Sequence, residues 1–201
     1  MKRIIPSFFA CAFAVLFAAS CGKKNTPAAD LKWEKASADS LTFSWNQVLR
    51  DDWMALAVGD KDSFNAMTIG WGTAGRLWNK PVMIVYVSED RYTKALMDSS
   101  AYFTVSLFPE ENHEALVYLG SHTGAKEPDK VQRAGLTPEF TSLGNPIFAE
   151  AILYIECKKL YATPFDPEEV PEDVRQDIYK RVGIHTMYIG EIVNVMRKKI
   201  Q

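Results

Sequence analysis

The chain has 201 residues, 47% of them hydrophobic and 12% aromatic, which suits one well-buried domain and little more. Its formal charge of −2 sets 23 basic against 25 acidic residues, and no segment masses positive charge, which excludes the electrostatic footprint of a nucleic-acid-binding protein. Strong β-branched and aromatic usage from Leu41 to Met196 favours a β-rich core over a helical bundle.

Residues 1–20 read as a targeting segment. Met1-Lys2-Arg3 is a charged start, and Ile4–Ala19 is an apolar stretch too short and too weakly flanked for a stable span. Small residues, Ala18-Ala19-Ser20, stand directly before Cys21. The pattern resembles a bacterial lipoprotein signal, in which Cys21 is lipidated and becomes the mature N-terminus. The other readings are an ordinary secretory signal cleaved nearby or an uncleaved anchor. On the lipoprotein reading, residues 21–30 are a polar, Pro-containing tether. Residues 31–201 are then the domain, held by its membrane anchor in the periplasm or on the outer-membrane face. Cys11 leaves with the signal, so Cys157 alone remains and no internal disulfide forms. Cys157 lies in an alternating run and reads as a buried strand residue.

Leu41–Trp45 alternates apolar and polar residues and predicts a first, edge strand. Trp53–Val58, closed by the turn signal Gly59-Asp60, predicts a hairpin with the strand that follows. That strand opens the central stretch, NAMTIGWGTAGRLWNKP (65–81). Ala66, Thr68 and Gly70 point one way, and Met67, Ile69 and Trp71 the other. A glycine-bearing loop follows, with Gly70, Gly72 and Gly75, then Arg76, Trp78, Asn79 and Lys80. Backbone donors, cations and indole plates in one place describe a pocket for a flat, anionic, heteroaromatic molecule. The three glycines match the dinucleotide fingerprint G-x-G-x-x-G, but Pro81 and the β-rich run Val82–Val87 leave no room for the helix that fingerprint needs. The loop joins two strands instead.

Ser88–Lys94 predicts the start of a helix with Tyr92, Ala95 and Leu96 on one face. Arg91 and Thr93 in its first turn read either as the phosphate end of a ligand site or as an exposed arginine and a capping threonine. Tyr102–Phe108 predicts a strand, and Pro109 with Glu110 and Glu111 opens a helix that Gly120 ends. The polar loop 120–129 carries His122, Thr123 and Lys126, and Lys130–Ala134 predicts a short helix. Phe148–Tyr161 predicts one long strand, and Thr163–Pro171, with three prolines, a loop. After Pro171 a short helix turns Val174, Ile178 and Val182 inward, and Thr186–Met196 predicts the closing strand. About six strands with short connecting helices argue for a mostly antiparallel barrel rather than a doubly wound sheet.

Nucleophile and metal signals are weak. There is no G-x-S-x-G elbow, and His113, His122 and His185 are too widely separated to pair as ligands.

Together these residues resemble the flavin reductase-like family, whose fold is the FMN-binding split barrel. The resemblance runs from Asn65-Ala66-Met67-Thr68 through Gly75–Pro81, Arg91-Tyr92-Thr93 and Phe103–Ser106. It continues through the Tyr118–Gly124 loop with Asp129-Lys130, Glu150–Cys157, His185-Thr186 and Ile189-Gly190-Glu191. It implies FMN as cofactor. Asn65, Ala66, Met67 and Thr68 would line the isoalloxazine, and the loop holding Trp71, Gly72 and Arg76 would meet its polar edge and the ribityl chain. Trp78 would add an apolar wall, and Asn79 and Lys80 would complete the loop's contacts. Arg91, Tyr92 and Thr93 would hold the phosphate, with His185 near the ring. It also implies a homodimer with FMN at the subunit interface, and a flavin-dependent oxidoreductase or electron-transfer protein. The lipoprotein reading points away from NAD(P)H and towards an unidentified redox partner. The alternative is a flavin-binding module or carrier without turnover.

Overall fold

The computed structural model describes Trp33–Lys199. The signal, the lipidation at Cys21 and the tether expected from sequence lie outside these residues. Ten strands are present among the described residues. β2 (Met54–Gly59), β3 (Phe64–Ile69), β4 (Gly72–Leu77), β5 (Lys80–Ser88), β6 (Tyr102–Leu107), β9 (Leu153–Pro164) and β10 (His185–Lys198) form a sheet in the order β3-β2-β6-β9-β10-β5-β4, with β1 (Trp33–Ala36) added on β10. Every pairing in it is antiparallel. β7 (Pro138–Phe140) and β8 (Pro146–Phe148) make a separate small ribbon.

β3 and β4 stand at opposite ends of the strand order, yet only Gly70 and Trp71 join them. The sheet must therefore curl until its ends nearly meet. No ladder pairs β3 with β4, so the barrel stays split. The fold is mostly antiparallel β with short helices, as the sequence predicts.

The alternation of β2 explains why that run is apolar throughout. Met54, Leu56 and Val58 enter the barrel interior with Met67, Met83, Val85, Phe103, Ile155 and Tyr188. Ala55 and Ala57 face the other way, into a second core with Ala66, Leu116, Leu119 and Phe148. Leu116 and Leu119 belong to α3 (His113–Ser121), which lies against β3. Small alanines on that face let the helix come close, and burying each leucine contributes about 1.5–3 kcal/mol. On β10, a Cβ at Gly190 would come within 2.6 Å of Phe103 and 2.7 Å of Cys157, so only glycine fits there.

Four expectations are corrected. Leu41–Trp45 is not a strand: Ser44 accepts a hydrogen bond from the Gln47 amide and caps α1 (Trp45–Gln47), which continues into a wide turn over Val48–Asp52. Leu41, Phe43 and Trp45 still pack on the barrel core, so their spacing reports burial and the cap decides the backbone. The glycine-bearing loop is mostly strand, since Gly72–Leu77 pairs with β5 from Gly72↔Val85 to Leu77↔Lys80. Gly75 is exposed, with nothing within 4 Å of where a Cβ would stand, and its flexibility is overridden by pairing with Val82. The long strand Phe148–Tyr161 is interrupted at residues 149–152, where buried Ala151 and the bond from the Ile152 amide to the Leu107 carbonyl turn the chain. β9 then runs on to Pro164, into the stretch expected to be loop. Finally, α2 starts only at Thr93 (Thr93–Ser99), with Arg91 and Tyr92 before it, and its inward face is Thr93, Leu96 and Met97 while Ala95 is exposed.

Candidate functional site

Two of the cavities that draw on residues singled out by sequence hold the charged and aromatic groups of interest. The first is a cleft of ≈120 Å³ between the start of β3, the turn into α2 and the loop after α3. Asn65 is buried, because β3 carries it inward beside Met67, and its Nδ2 donates to Thr93 Oγ1 at 2.8 Å. Thr93 thus accepts with its oxygen and keeps its own proton to donate. Gly124 closes the cleft: a Cβ there would overlap the Asn65 carboxamide and come within 3.1 Å of the Tyr92 ring.

The same cleft gathers cations. Arg91 Nη1 donates to the Gly120 carbonyl at 2.9 Å and is exposed. Lys130, at the start of α4 (Lys130–Arg133), is buried, with Nζ 3.1 Å from the Leu119 carbonyl and 3.0 Å from that of His122. Burial first, and then the Arg91 charge, push the Lys130 amine down to about 8. Two like charges lining one cleft favour an anion between them. His122 lies flat on Tyr118, ring centroids 3.7 Å apart.

The second cavity, ≈260 Å³, is bounded by Trp71, Tyr86, Phe165, Tyr179 and His185, with Val174 and Ile178. Trp71 and His185 lie 5.0 Å apart between ring centroids. His185 is buried, and its Nδ1 has no hydrogen-bond partner. Burial, and then the Arg91 charge, lower its pKa below the ordinary histidine value. His185 pairs with Ser88 at the end of β5, and the Arg91 amide donates to the Ser88 carbonyl, so one turn of chain joins the aromatic cavity to the cationic cleft. Among the described residues no group of three metal-ligating side chains comes together.

The predicted set therefore divides. Asn65, Met67, Arg91, Tyr92 and Thr93 meet in the cleft, and Trp71 and His185 in the aromatic cavity. Ala66 points into the second core, and the Thr68 hydroxyl donates to the Leu116 carbonyl on the same side of β3. Gly72 borders a third hollow with Trp71, Trp53 and Arg50. Arg76, Trp78, Asn79 and Lys80 lie at the far end of the β4–β5 hairpin, four or more strand steps from Gly72, or roughly 13–17 Å away. Trp78 and Asn79 form its two-residue turn with φ of +48° and +60°, the primed geometry that suits a twisted hairpin. Trp78 is 66% exposed, and Lys80 is held by Glu191 at 2.7 Å.

Sequence reasoning did not place Lys130, Gly124 or the walls Tyr86, Phe165 and Tyr179 in the site. The inward spacing of Val174 and Ile178 was the available signal for the last of these.

Comparisons with known proteins agree with this architecture. The family described as flavin reductase like domain matches residues 53–200. An FMN-binding domain of a flavin reductases-like enzyme from Shewanella baltica OS155 superposes with a TM-score of 0.61 at 16% identity, covering 84% of this chain and 78% of that one. Flavoredoxin from Methanosarcina acetivorans gives 0.57 at 19% identity, with 72% and 67% covered. The NADH:FAD oxidoreductase SgcE6 of Streptomyces globisporus C-1027 gives 0.55 at 18%, with 74% and 77% covered. Diflavin flavoprotein A 1 of Synechocystis is 30% identical over 94 residues, and the match spans 46% of this chain but 16% of that protein's length. With the family matched over well more than half its length, the chain belongs to the flavin reductase-like family.

Proposed function

We propose that the chain is an FMN-binding oxidoreductase or electron-transfer flavoprotein, anchored outside the cytoplasm through Cys21 and active as a homodimer. The observation that carries this reading is the cleft where Thr93, Arg91 and Lys130 converge beside an aromatic cavity, a phosphate-sized cationic pocket next to a ring-sized one. When bound, FMN supplies hydride and electron chemistry. Arg91 and Lys130 would offset its phosphate charge, and Thr93, oriented by Asn65, would donate one further hydrogen bond. Trp71 and His185 would wall the ring and limit water. The hairpin-tip residues Arg76, Trp78, Asn79 and Lys80 are too distant to join the cleft of their own chain. A homodimer that offers them to the partner's flavin accounts for their place in the site.

Saturation of the purified protein with FMN, followed by desalting and a visible spectrum, tests the reading. Retention of about one flavin per chain, the occupancy of a single formed pocket, supports it. A colourless protein refutes it. Rapid NADH or NADPH oxidation at low micromolar apparent affinity would count against electron supply by a membrane or periplasmic partner. Loss of lipid incorporation in Cys21→Ala would support the anchor.

A further inference from the structure

We propose that Glu156, buried in the middle of the sheet, is a positioning residue for the phosphate cleft: it fastens the β7–β8 ribbon to the barrel, and the ribbon sets the places of Lys130 and Asn65. This rests on the flavin reading only for what the cleft holds.

Glu156 stands on β9 between Thr104 of β6 and Asn194 of β10, and it is fully buried. None of the ion pairs among the described residues includes it. Its partners are neutral donors. Asn194 Nδ2 donates to Oε2 at 2.6 Å, and Asn145 Nδ2 donates to Oε1 at 2.7 Å. The Thr141 hydroxyl oxygen accepts from the Leu143 and Asn145 amides, each at 3.2 Å, and its proton goes to Glu156 Oε1. A carboxylate buried without a counter-ion is costly, and here its three hydrogen bonds fix one arrangement of the chain around it.

What it fixes is the ribbon. Thr141 and Asn145 belong to the turn between β7 and β8, which closes on itself through the Thr141 amide and the Asn145 carbonyl at 2.9 Å, with Gly144 at φ +83°. The Thr104 hydroxyl adds a bond from the barrel to the Pro146 carbonyl of β8. β7 and β8 pair only with each other, so these side chains do the work that a strand ladder does elsewhere in the fold.

The ribbon reaches both walls of the cleft. Residues 134–137 alone separate β7 from α4, whose Lys130 lines the cleft, and the Leu136 amide donates to the Val131 carbonyl at 3.1 Å. On the other side, Phe140 of β7 meets Phe64 edge to face, with ring centroids 5.7 Å apart. Phe64 directly precedes Asn65 on β3. A ribbon freed from Glu156 would let Lys130 and Asn65 shift, and hydrogen bonds weaken steeply as their geometry is lost.

Three substitutions separate positioning from plain stability. Thr141→Val removes the ribbon's hydroxyl, Thr141→Ser keeps it, and Asn194→Ala removes a donor to the same carboxylate from the barrel side. Hydrogen exchange of the full-length, flavin-free protein reads the coupling. Thr141→Val should speed exchange across residues 130–148 at least about tenfold, the scale of one lost hydrogen bond to a charged group, and Thr141→Ser should not. Fluorescence titrations with FMN and riboflavin read the cleft. Thr141→Val should weaken FMN about tenfold and riboflavin no more than about threefold, with Thr141→Ser restoring FMN. Asn194→Ala should lower the unfolding midpoint yet leave the ratio of the two affinities unchanged. An unchanged ratio in Thr141→Val, or an equal change in Asn194→Ala, would overturn the proposal. If the protein binds neither flavin, the flavin reading falls and exchange alone decides. Faster exchange at residues 130–133 in Thr141→Val would then uphold the link from Glu156 to Lys130, and unchanged exchange there would overturn it.

Discussion

Replacing Arg91 by alanine separates the phosphate from the rest of the flavin. Arg91 is exposed and its guanidinium makes one hydrogen bond within the protein, to the Gly120 carbonyl, so its truncation leaves no buried side chain unpaired. A hydrogen bond to a charged partner contributes about 1.5–3 kcal/mol, which converts to a loss of roughly 10- to 150-fold in FMN affinity. Riboflavin has no phosphate and should lose no more than about threefold, the scale of weak surface electrostatics. Flavin fluorescence quenching, with each ligand titrated into each protein, gives all four constants. Two secondary effects follow from the same charge. Lys130 and His185 both have pKa values lowered in part by Arg91, so both should rise in the variant, measurable for His185 by ring-proton NMR. Equal losses for FMN and riboflavin would refute the phosphate assignment.

Gly124→Ala should fold yet bind FMN at least about tenfold more weakly, because the new methyl displaces the Asn65 carboxamide from Thr93; unchanged binding would show the cleft is not used. Gly190→Ala forces a methyl onto Phe103 and Cys157 and should cost about 1–3 kcal/mol in denaturant unfolding, with no selective effect on flavin. The buried Lys130 amine has a folded pKa of about 8 against an ordinary 10.5, so the unfolded chain holds the extra proton between those values. Its full penalty applies below pH 8 and is relieved as pH rises towards 10.5. Flavin-free protein should therefore gain up to about 3 kcal/mol over that window relative to Lys130→Met, and a flat difference would contradict the assignment.

The barrel was legible because hydrophobic alternation and turn residues act locally. Trp53–Val58 with Gly59-Asp60 announced the β2–β3 hairpin, and Val82–Val87 an interior strand. Where the reading failed, a local signal met a competing one. Period-two spacing at Leu41, Phe43 and Trp45 was packing onto the core under a helix capped by Ser44. The glycines of β4 suggested a loop, but pairing with β5 decided its conformation. The site was legible only in part for a different reason. Asn65 meets Thr93, and Lys130 joins Arg91 at one cleft, through long-range packing of α2, α3 and α4 that no spacing reveals. Trp78 and Lys80 looked like neighbours of Trp71 in sequence, yet an extended hairpin carries them away from it.

The central claim is that Thr93, Arg91 and Lys130 hold the FMN phosphate. Phosphorus NMR of bound FMN, titrated from about pH 5 to 8, tests it directly, because a free phosphate monoester releases its second proton near pH 6. Held between two cations and a hydroxyl donor, the bound phosphate should stay dianionic and its resonance should not move across that range. A bound resonance that titrates as free FMN does would place the phosphate in solvent and contradict the account.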